Sequence, residues 1–407
     1  MVRVTDMTHG RPIRLILLFS LPLMLGSVFQ QLYTIVDTII IGRGVGMQAL
    51  ASIGAADWIN WLVLWGLQGF TQGFAILAAQ EFGAGTYDRL RRVLAMIVKL
   101  SCWFGIAVTI ISLLLVRPLL TLLHTDPAVF GGAQTYLYVQ FGGSLIIIAY
   151  NMAAAVLRCL GDSRTPLFAI IAASFANIAL DLLFVMGFGW GIFGASFATV
   201  LAQLIAFLLC LRSLRRLPFV QLTKADWKTD PAILLHLCRL GIPTGLQMSM
   251  ITLGGMVLQS VLNGFGVVFV AGYTAANKLY GILESASVAF GYAMTAYMGQ
   301  NRGARNAARI DAGIRAVLVL SAEFTAAIVT AMLLAGKPLL GLFLSTEEAG
   351  AADALAVAYQ YLMVLMAFLF ALFMLQAYRS SLQGLGEMTV PTLSGFAEML
   401  MRMGAAL

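Results

Sequence analysis

The chain has 407 residues, of which 60% are hydrophobic and only 11% are charged. A soluble globular protein carries about 25% charged residues, so this composition excludes a water-soluble domain and predicts an all-α protein of the lipid bilayer. The net charge of +7 does not require nucleic acid, because basic loops on one side of a membrane produce the same excess. The four cysteines and three histidines lack the spacing of metal sites or disulfides, so we expect neither a cofactor nor an enzyme.

Apolar stretches long enough to cross a bilayer, about 20 residues each, follow one another along the chain. Ten are complete, and the eleventh is predicted to be interrupted by the end of the chain at Leu407. The longer stretches leave room for tilt or bends. The predicted spans are 13–41, 50–80, 93–116, 130–157, 165–188, 191–212, 233–263, 268–299, 313–336, 353–378 and 389 onward.

The basic residues fall mainly on one side of the predicted membrane. Of the 25 Lys and Arg, three (Arg43, Arg117 and Lys337) lie on the other side and two (Lys278 and Arg402) lie within spans. The remaining 20 lie in loops or span ends on the side of the amino terminus. Lys and Arg are enriched in cytoplasmic loops, so we predict a multi-pass protein of the cell membrane with a cytoplasmic amino terminus.

The sequence contains an internal repeat of about 220 residues. Each copy holds six spans, so both copies enter the membrane from the same side as parallel repeats. This predicts two six-helix bundles: an amino-terminal lobe at 1–222, and a second lobe at 223–407 that holds about five of its six helices and is truncated within span 11. The paired segments are Pro22 with Pro243, 44–46 with 264–266, 80–84 with 300–304, 117–120 with 337–340, and 157–166 with 382–391.

Two similar bundles that face each other form a cleft between them. Transporters built from repeats bind their substrates at such an interface, near the middle of the membrane. A channel does not require this duplication, and an enzyme embedded in the membrane would need clustered catalytic side chains, which the sequence lacks. We therefore predict a transporter that works by alternating access.

Polar side chains at membrane depth concentrate in the first predicted bundle. An ionised side chain at the centre of a membrane helix costs about 2.5–3.5 kcal/mol, so Asp37 in span 1 and Asp181 in span 5 need partners or a function. Tyr33 lies four residues before Asp37, and Asn177 lies four before Asp181, so each pair shares a helix face. The candidates that we expect to converge inside the bundle are Tyr33, Asp37, Asn151, Asn177, Asp181 and Thr199.

These groups are suited to the capture of a cation. Two neighbouring carboxylates can share one proton, and carboxylate, amide and hydroxyl oxygens are also suitable ligands for a hard cation. Both interpretations stay open, so the coupling ion is H⁺ or Na⁺. The predicted Na⁺ ligands are Asp37, Asn177, Asp181 and Thr199.

The second predicted bundle has a different set of charges. At an offset of 221 residues, Asp37 aligns with Leu258, so the acid of span 1 has no counterpart in span 7. Glu398 and Arg402 in the last span are four residues apart and are predicted to pair along one helix face.

Three groups of residues occur together in one known family of transporters. They are Val36-Asp37-Thr38 with Gly42 and Gly46, 157–162 (Leu-Arg-Cys-Leu-Gly-Asp) with Pro166, and 177–181 (Asn-Ile-Ala-Leu-Asp) with Gly194. In this combination the whole chain resembles the multidrug and toxic compound extrusion (MATE) family. The resemblance implies two six-helix lobes, no cofactor, and a monomer that exports small amphipathic, often cationic, compounds in exchange for inward-moving H⁺ or Na⁺.

Within that family the DinF-like branch looks most similar. It implies a cation site in the amino-terminal lobe at Asp37, Asn177, Asp181 and Thr199, with Tyr33 and Asn151 nearby and a first helix that bends at Pro22. The NorM-like branch instead uses an acid in span 7, where this chain has 248–252 (Met-Ser-Met-Ile-Thr) and no acid.

One alternative function stays open. A flippase for a lipid-linked saccharide, or for a similar large amphiphile, belongs to the same larger group of transporters. Such a protein would have a wide cleft lined with several Arg residues, and few Arg residues lie within the predicted spans.

Overall fold

The computed structural model describes residues 4–343 and 350–406, and within these ranges the regular elements are helices and no strand occurs. The predicted all-α fold is therefore confirmed. The helices are α1 (Pro12–Gly44), α2 (Met47–Gly83), α3 (Tyr87–Leu122), α4 (Pro127–Gly142), α5 (Ser144–Cys159), α6 (Arg164–Asp181), α7 (Gly191–Arg215), α8 (Pro231–Leu262), α9 (Val267–Gly303), α10 (Ala307–Gly341), α11 (Ala351–Gly384) and α12 (Thr389–Ala406).

Most of these helices have the length and hydropathy of a membrane span. Within the described ranges, eight single elements meet both criteria, and α4 with α5 makes a ninth, bent span. The helices α9 and α12 fall outside this set, because both carry many small or polar residues and α12 also includes Glu398 and Arg402. The spans predicted at 268–299 and from 389 onward are therefore supported by their place among apolar helices and not by their own hydropathy.

The fourth predicted span, 130–157, is not one uninterrupted helix as the sequence suggested. Gly143 divides it into α4 and α5, whose axes differ by 50°. Glycine weakens a helix, and at this position it also permits a close approach to α7. A Cβ on Gly143 would lie 2.5 Å from a methyl carbon of Val200, so a larger residue would force the two helices apart.

Two of the repeated segments form the same turns in both halves of the chain. Gly46 and Gly266 have φ angles of 110° and 90° and directly precede α2 and α9. Gly161 and Gly386 have φ angles of 91° and 77° in the turns before α6 and α12. A positive φ favours glycine, which explains why these glycines recur at a nearly constant offset.

Each half of the chain builds an apolar core of its own. Buried residues of α2, α3, α5, α6 and α7 dominate one cluster, and residues of α9, α10 and α11 dominate another. Helix α1 packs against both α6 and α9. Ile16 and Phe19, near the start of α1, are buried in the second cluster, so this helix links the two bundles.

Helix α2 of the first bundle packs against α8 and α9 of the second. Gly69 and Gly73 allow the backbone of α8 to approach closely, and a Cβ on Gly73 would lie 2.6 Å from Cα of Gly241. Nearer the start of α2, Trp61 and Trp65 are 44% and 42% exposed. Helical periodicity puts Trp65 near the face of α2 that contacts α8 further along, so we expect the cleft that the repeat predicts to lie on the side opposite the amino terminus.

The crossing of α2 and α9 is nearly symmetric in the repeat. A Cβ on Gly83 would collide with the carbonyl oxygen of Gln300, and a Cβ on Gly303 would collide with that of Gln80. The repeated segments 80–84 and 300–304 are thus the place where the two halves of the chain touch most closely. We call this region, on the side of the amino terminus, the join.

Candidate cation site and substrate cleft

A small cavity lies among α1, α5, α6 and α7 in the first bundle. Its volume is about 40 Å³, enough for a small cation or a few water molecules, since one water needs about 10–15 Å³ of such space. Three of the predicted residues line it, namely Tyr33, Asn177 and Thr199. The other lining residues are Gln30, Tyr150, Ile170, Ala173, Ser174, Ala202, Gln203 and Ala206.

The two predicted carboxylates lie one helical turn beyond this cavity. Asp37 follows Tyr33 on α1, Asp181 follows Asn177 on α6, and the two carboxyl groups are near neighbours. Asp181 is fully buried. One oxygen of Asp37 (Oδ1) and both carboxylate oxygens of Asp181 are buried with no hydrogen-bond partner in the described part of the chain. The fold therefore brings together the two acids that the sequence singled out.

The backbone changes its helical geometry directly after Asp181. Helix α6 ends at that residue, and a π-helical turn (Leu182–Gly187) follows. The N–H of Phe188 donates to the carbonyl oxygen of Leu183 at 2.9 Å, an interval of five residues. Such turns are rare and are frequent at functional sites. Here the π-helical turn begins at the residue after Asp181. Val185 within the turn packs in an apolar cluster with residues of α1.

Neutral amides complete the polar set around the cavity. Asn177 is 1% exposed, and both of its amide atoms, like Oε1 of Gln203, lack a hydrogen-bond partner among the described residues. A buried polar group without a partner costs about 1–3 kcal/mol. A proton shared by the carboxylates, or a Na⁺ ion held by carboxylate, amide and hydroxyl oxygens, fits this set of groups. Residues 4–343 and 350–406 contain no cluster of three or more His, Cys, Asp or Glu suited to another metal.

The remaining predicted residues have different positions. The hydroxyl of Thr199 donates to the carbonyl oxygen of Ala195 at 3.1 Å, which leaves its oxygen lone pairs for the cavity that it lines. Asn151 donates to the carbonyl oxygen of Ile147 at 2.9 Å in its own helix and does not line the cavity. Pro22 lies inside α1, which is one helix from Pro12 to Gly44, so a bend at Pro22 stays a prediction.

Sequence reasoning missed several polar residues near this site. Gln30 and Gln203 line the cavity, and Gln203 could have been found because it lies one turn after Thr199. Asp57 on α2 is close enough to Asp37 for their charges to interact, and it has no hydrogen bond or ion pair among the described residues. Asp57 could have been recognised from the sequence, because it is an acid inside the predicted span 50–80.

Polar side chains of α2, α5 and α9 meet between the two bundles. The amide of Gln68 on α2 donates to the hydroxyl of Tyr292 on α9 at 2.5 Å. The guanidinium of Arg158 lies 4.6 Å from the centre of the same tyrosine ring and donates to Oε1 of Gln72 at 3.1 Å. The two contacts of Tyr292 connect the bundles, so we expect access from the amino-terminal side to require that both break.

In the second bundle a carboxylate is neutralised by fixed side chains. Glu398 accepts a hydrogen bond from Arg402 at 2.6 Å and another from Arg379 at 3.1 Å. The predicted pairing of Glu398 with Arg402 is thereby confirmed. Arg379 is also bonded to the hydroxyl of Ser394 at 2.9 Å and is only 7% exposed, so this cluster is largely satisfied by its own members.

Two repeated helical bundles with long apolar spans define a multi-pass membrane protein. The sequence profile of the MatE family matches residues 22–183 and 243–406, once in each half. The two matches begin 221 residues apart, in agreement with the internal repeat. The chain belongs to this family of multidrug efflux transporters and is not an enzyme.

Individual relatives support the same assignment. The chain is 33% identical over 368 residues to a probable multidrug resistance protein, YpnP, of Bacillus subtilis, a match that covers 89% of this chain and 80% of that protein. It is 26% identical over 338 residues to the probable multidrug resistance protein NorM of Thermotoga maritima, covering 81% and 72% of the two chains.

Solved structures confirm the predicted fold. An outward-facing multidrug resistance MATE family transporter of the MOP superfamily matches with a TM-score of 0.90 and 24% identity, covering 99% of this chain and 90% of that one. A structure of MATE in complex with MaL6 matches with a TM-score of 0.88 and 24% identity, covering 100% and 89%. Similarity at this identity concerns the fold, so the assignment to the DinF-like branch stays a prediction.

Proposed function

We propose that the protein is a secondary active exporter that moves small amphipathic compounds outward in exchange for H⁺ or Na⁺ moving inward. One observation carries this proposal. Asp37 and Asp181 lie together in the first bundle with buried oxygens that have no partner among the described residues. A carboxylate pair at membrane depth needs its charge neutralised. A bound H⁺ or Na⁺ neutralises the pair during the part of the transport cycle in which the ion is bound, and its release restores the charge.

The proposal includes an orientation and a division into moving parts. The amino terminus lies in the cytoplasm, residues 1–222 and 223–407 form the two lobes, and one chain in the cell membrane is the transport unit. The asymmetry of Lys and Arg among the loops supports this orientation. The join then lies on the cytoplasmic side, and the cleft opens to the outside.

The cleft is suited to amphipathic and often cationic substrates. Trp61 and Trp65 on α2 present partly exposed indole rings, and Trp58 packs edge-on against Trp61 with ring centres 5.3 Å apart. A cation over an indole ring gains about 0.5–2 kcal/mol. Asp57, on the same helix, adds a carboxylate without an ion pair in the described ranges.

Helix α1 connects the ion site with the movement of the lobes. Its far half carries Tyr33 and Asp37, and its first turns pack in the core of the second bundle. When the cation leaves, two neighbouring carboxylates repel each other, so the contact between α1 and α6 weakens. Since α1 also touches α9, the change reaches the interface between the lobes.

The two coupling ions make different use of the same oxygens. For H⁺, the proton is shared between Asp37 and Asp181. For Na⁺, the ligands are the carboxylates of Asp37 and Asp181, the amide oxygen of Asn177 and the hydroxyl of Thr199. The small volume of the cavity, about 40 Å³, is compatible with either ion.

Transport in proteoliposomes tests the proposal. Substrate movement is measured with a pH gradient alone, with a Na⁺ gradient alone, and with neither. We expect one gradient to drive transport in the wild-type protein and neither to do so in Asp37→Asn. Transport that is equal under all conditions, or unaffected by the substitution, would remove the coupling site from the proposal.

The alternative of a flippase is less well supported. It would use arginines in the cleft to hold an anionic head group, but Arg158, Arg379 and Arg402 are each engaged by partners in the structure. Movement of a fluorescent lipid-linked saccharide between leaflets, in the absence of drug transport, would favour this alternative.

A further inference from the structure

Residues 4–10, which precede α1, cross the join between the two bundles. The backbone N–H of Thr5 donates to the carbonyl oxygen of Gly161 in the first bundle at 3.1 Å. Two residues later, the N–H of Met7 donates to Oε1 of Gln300 in the second bundle at 2.8 Å. We call residues 4–10 the strap, because the segment is bonded to both bundles within three residues.

The strap is anchored firmly to the second bundle. The carbonyl oxygen of Met7 accepts hydrogen bonds from the amide of Asn301 at 3.1 Å and from the guanidinium of Arg309 at 2.9 Å. Arg309 also donates to the carbonyl oxygen of Gly10 at 2.8 Å. The side chain of Met7 is fully buried in the apolar core of α9, α10 and α11.

The contact with the first bundle is smaller. Val4 is partly buried against the apolar core of that bundle, and Thr5 approaches Gly161 closely. Gly161 has a φ of 91°, and a Cβ there would collide with the carbonyl oxygen of Thr5. Gly161 thus allows both the turn and the seating of the strap. The only strap hydrogen bond to the first bundle within the described residues is that of Thr5, against four to the second bundle.

The strap also has internal order. The carboxylate of Asp6 accepts hydrogen bonds from the N–H and the hydroxyl of Thr8 at 2.8 and 2.6 Å. Burial favours a higher pKa for Asp6, but these hydrogen bonds and the neighbouring His9 hold it below its usual value. The turn therefore holds its shape at neutral pH while the strap extends from one bundle to the other.

One residue that binds the strap also connects the two bundles directly at the join. Gln300, which accepts from Met7, donates through its Nε2 to the carbonyl oxygen of Cys159 in the first bundle at 2.9 Å. On the other side of the crossing, Gln80 donates to the carbonyl oxygen of Gly384 at 3.1 Å. Separation of the lobes on this side must break these bonds together with the bond between Thr5 and Gly161.

We propose that the strap is a latch that stabilises the closed amino-terminal side, and that it stays with the second bundle and leaves Gly161 when that side opens. The direction follows from the unequal anchoring, since one hydrogen bond and a partly buried valine at the first bundle separate more readily than four hydrogen bonds and a fully buried methionine at the second. The inference rests on the proposed alternating access.

Distances between spin labels test the direction of movement. The labels are placed on cysteines introduced into a variant in which the four native cysteines are replaced by alanine and transport is retained. A reference pair at Asp88 and Asp311 reports the separation of the lobes. Pairs at His9 and Asp311, and at His9 and Arg164, report the strap against α10 and α6.

We expect the reference distance to lengthen when substrate and ion gradients drive the cycle. The distance from His9 to Asp311 should then stay constant, and the distance from His9 to Arg164 should lengthen. A strap that stays beside Arg164 while the lobes separate, or that leaves both bundles, would overturn the latch. A reference distance that never changes would instead contradict the proposed alternating access.

A substitution tests whether the strap stabilises closure. Gly161→Ala prevents the seating of Thr5, and we expect the fraction of molecules with the long reference distance to rise by about fivefold to tenfold, the effect of losing one hydrogen bond with its packing. Gly85→Ala is the matched control, because Gly85 also has a positive φ (69°) but no atom within 4 Å of its Cβ position.

An equal rise in both glycine variants would assign the effect to backbone strain and overturn the latch. If Gly161→Ala does not fold, Arg309→Gln provides a second route, because it removes two donors to the strap without altering a turn. In that variant the distance from His9 to Asp311 should broaden and the open fraction should increase. An unchanged open fraction would contradict the proposal.

Discussion

The internal repeat aligns Asn177 of α6 with Arg402 of α12, at an offset of 225 residues, and Asp37 of α1 with Leu258 of α8, at 221. Equivalent positions in the two bundles therefore carry different charges. In the first bundle, oxygens of Asp37 and Asp181 are buried without partners in the described part of the chain. In the second, Arg402 brings its guanidinium to Glu398 at 2.6 Å.

The difference shows two ways to keep a carboxylate inside a membrane. In the second bundle the cation that balances Glu398 is part of the protein, so that charge needs no ion from solution. At the proposed cation site of the first bundle the balancing cation comes from solution, so charge balance depends on which side the site faces. We infer that duplication supplied one scaffold twice, and that in the proposed mechanism the first copy couples ion binding to movement.

The largest effect should come from the acids of the first bundle. Asp37→Asn and Asp181→Asn each remove a charge that we propose binds the coupling ion. We expect gradient-driven transport in proteoliposomes to fall at least about a hundredfold, since each tenfold step needs only about 1.4 kcal/mol of lost binding. The control is Glu323→Gln, because Glu323 is an exposed acid in a span of the second bundle. Equal losses in all three variants would erase the contrast between the bundles.

The second prediction concerns the ion-pair cluster around Glu398, whose loss we expect to lower the stability of the protein and not to change its ion coupling. Glu398→Ala leaves Arg379 buried and without its carboxylate, and loss of one partner of a buried ion pair costs about 3–5 kcal/mol. We expect the low end of this range, because the side chain of Arg402 is 40% exposed. Thermal unfolding in detergent measures the loss, with Glu323→Ala as control. A change in ion dependence with unchanged stability would contradict the structural role of this cluster.

The third prediction addresses the place where the halves remain alike. Gly83→Ala and Gly303→Ala introduce equivalent collisions at the crossing of α2 and α9. Overpacking of this kind costs about 1–3 kcal/mol. We expect the fraction of molecules with an open join to rise in both variants, by amounts that agree within about twofold. Accessibility of an introduced cysteine to an impermeant reagent measures opening. Gly54→Ala, which meets no atom within 4 Å, should have no effect. Strongly unequal effects would contradict the symmetry of the join.

The smallest effect should come from Thr199→Ala. Its hydroxyl already donates within its own helix, so the substitution removes one ligand oxygen, and we expect the apparent ion affinity to fall severalfold, in line with about 1 kcal/mol for one hydrogen-bonding group. Ion titration of transport measures it. Thr252→Ala in α8 is the matched control, because that hydroxyl donates to the carbonyl oxygen of Met248 at 2.9 Å. An equal effect of both variants would remove Thr199 from the site.

The sequence predicted those features that the bilayer itself requires. Long apolar stretches mark the helices because backbone groups inside lipid must bond within their own helix. Asp37 and Asp181 were recognisable because an acid at membrane depth is costly. The repeat was visible because its glycines occupy left-handed turns, as at Gly161 and Gly386, where other residues would be strained.

Features that depend on contacts between distant helices were not predictable in the same way. The bend at Gly143 depends on its approach to Val200 on α7, which no local pattern reveals. Gln203 is neutral and does not stand out in an apolar helix, although it lines the cavity. Asn151 was expected to lie near the cation site, but its amide donates a hydrogen bond to the backbone of its own helix. That bond depends on the side-chain rotamer, which the sequence pattern does not reveal.

The double packing of α1 limits how the ion site can respond to its occupant. A rise of 1.5 Å per residue puts Phe19 and Asp37 about 27 Å apart along one helix, close to the thickness of the hydrocarbon core. Phe19 is fixed in the second bundle, and Asp37 lies beside an acid of the first. The packing of Phe19 therefore resists any rotation or shift of α1 at Asp37, unless the helix bends between these two residues. Pro22 lies between them, three residues beyond Phe19, and proline lacks the N–H of one backbone hydrogen bond of the helix.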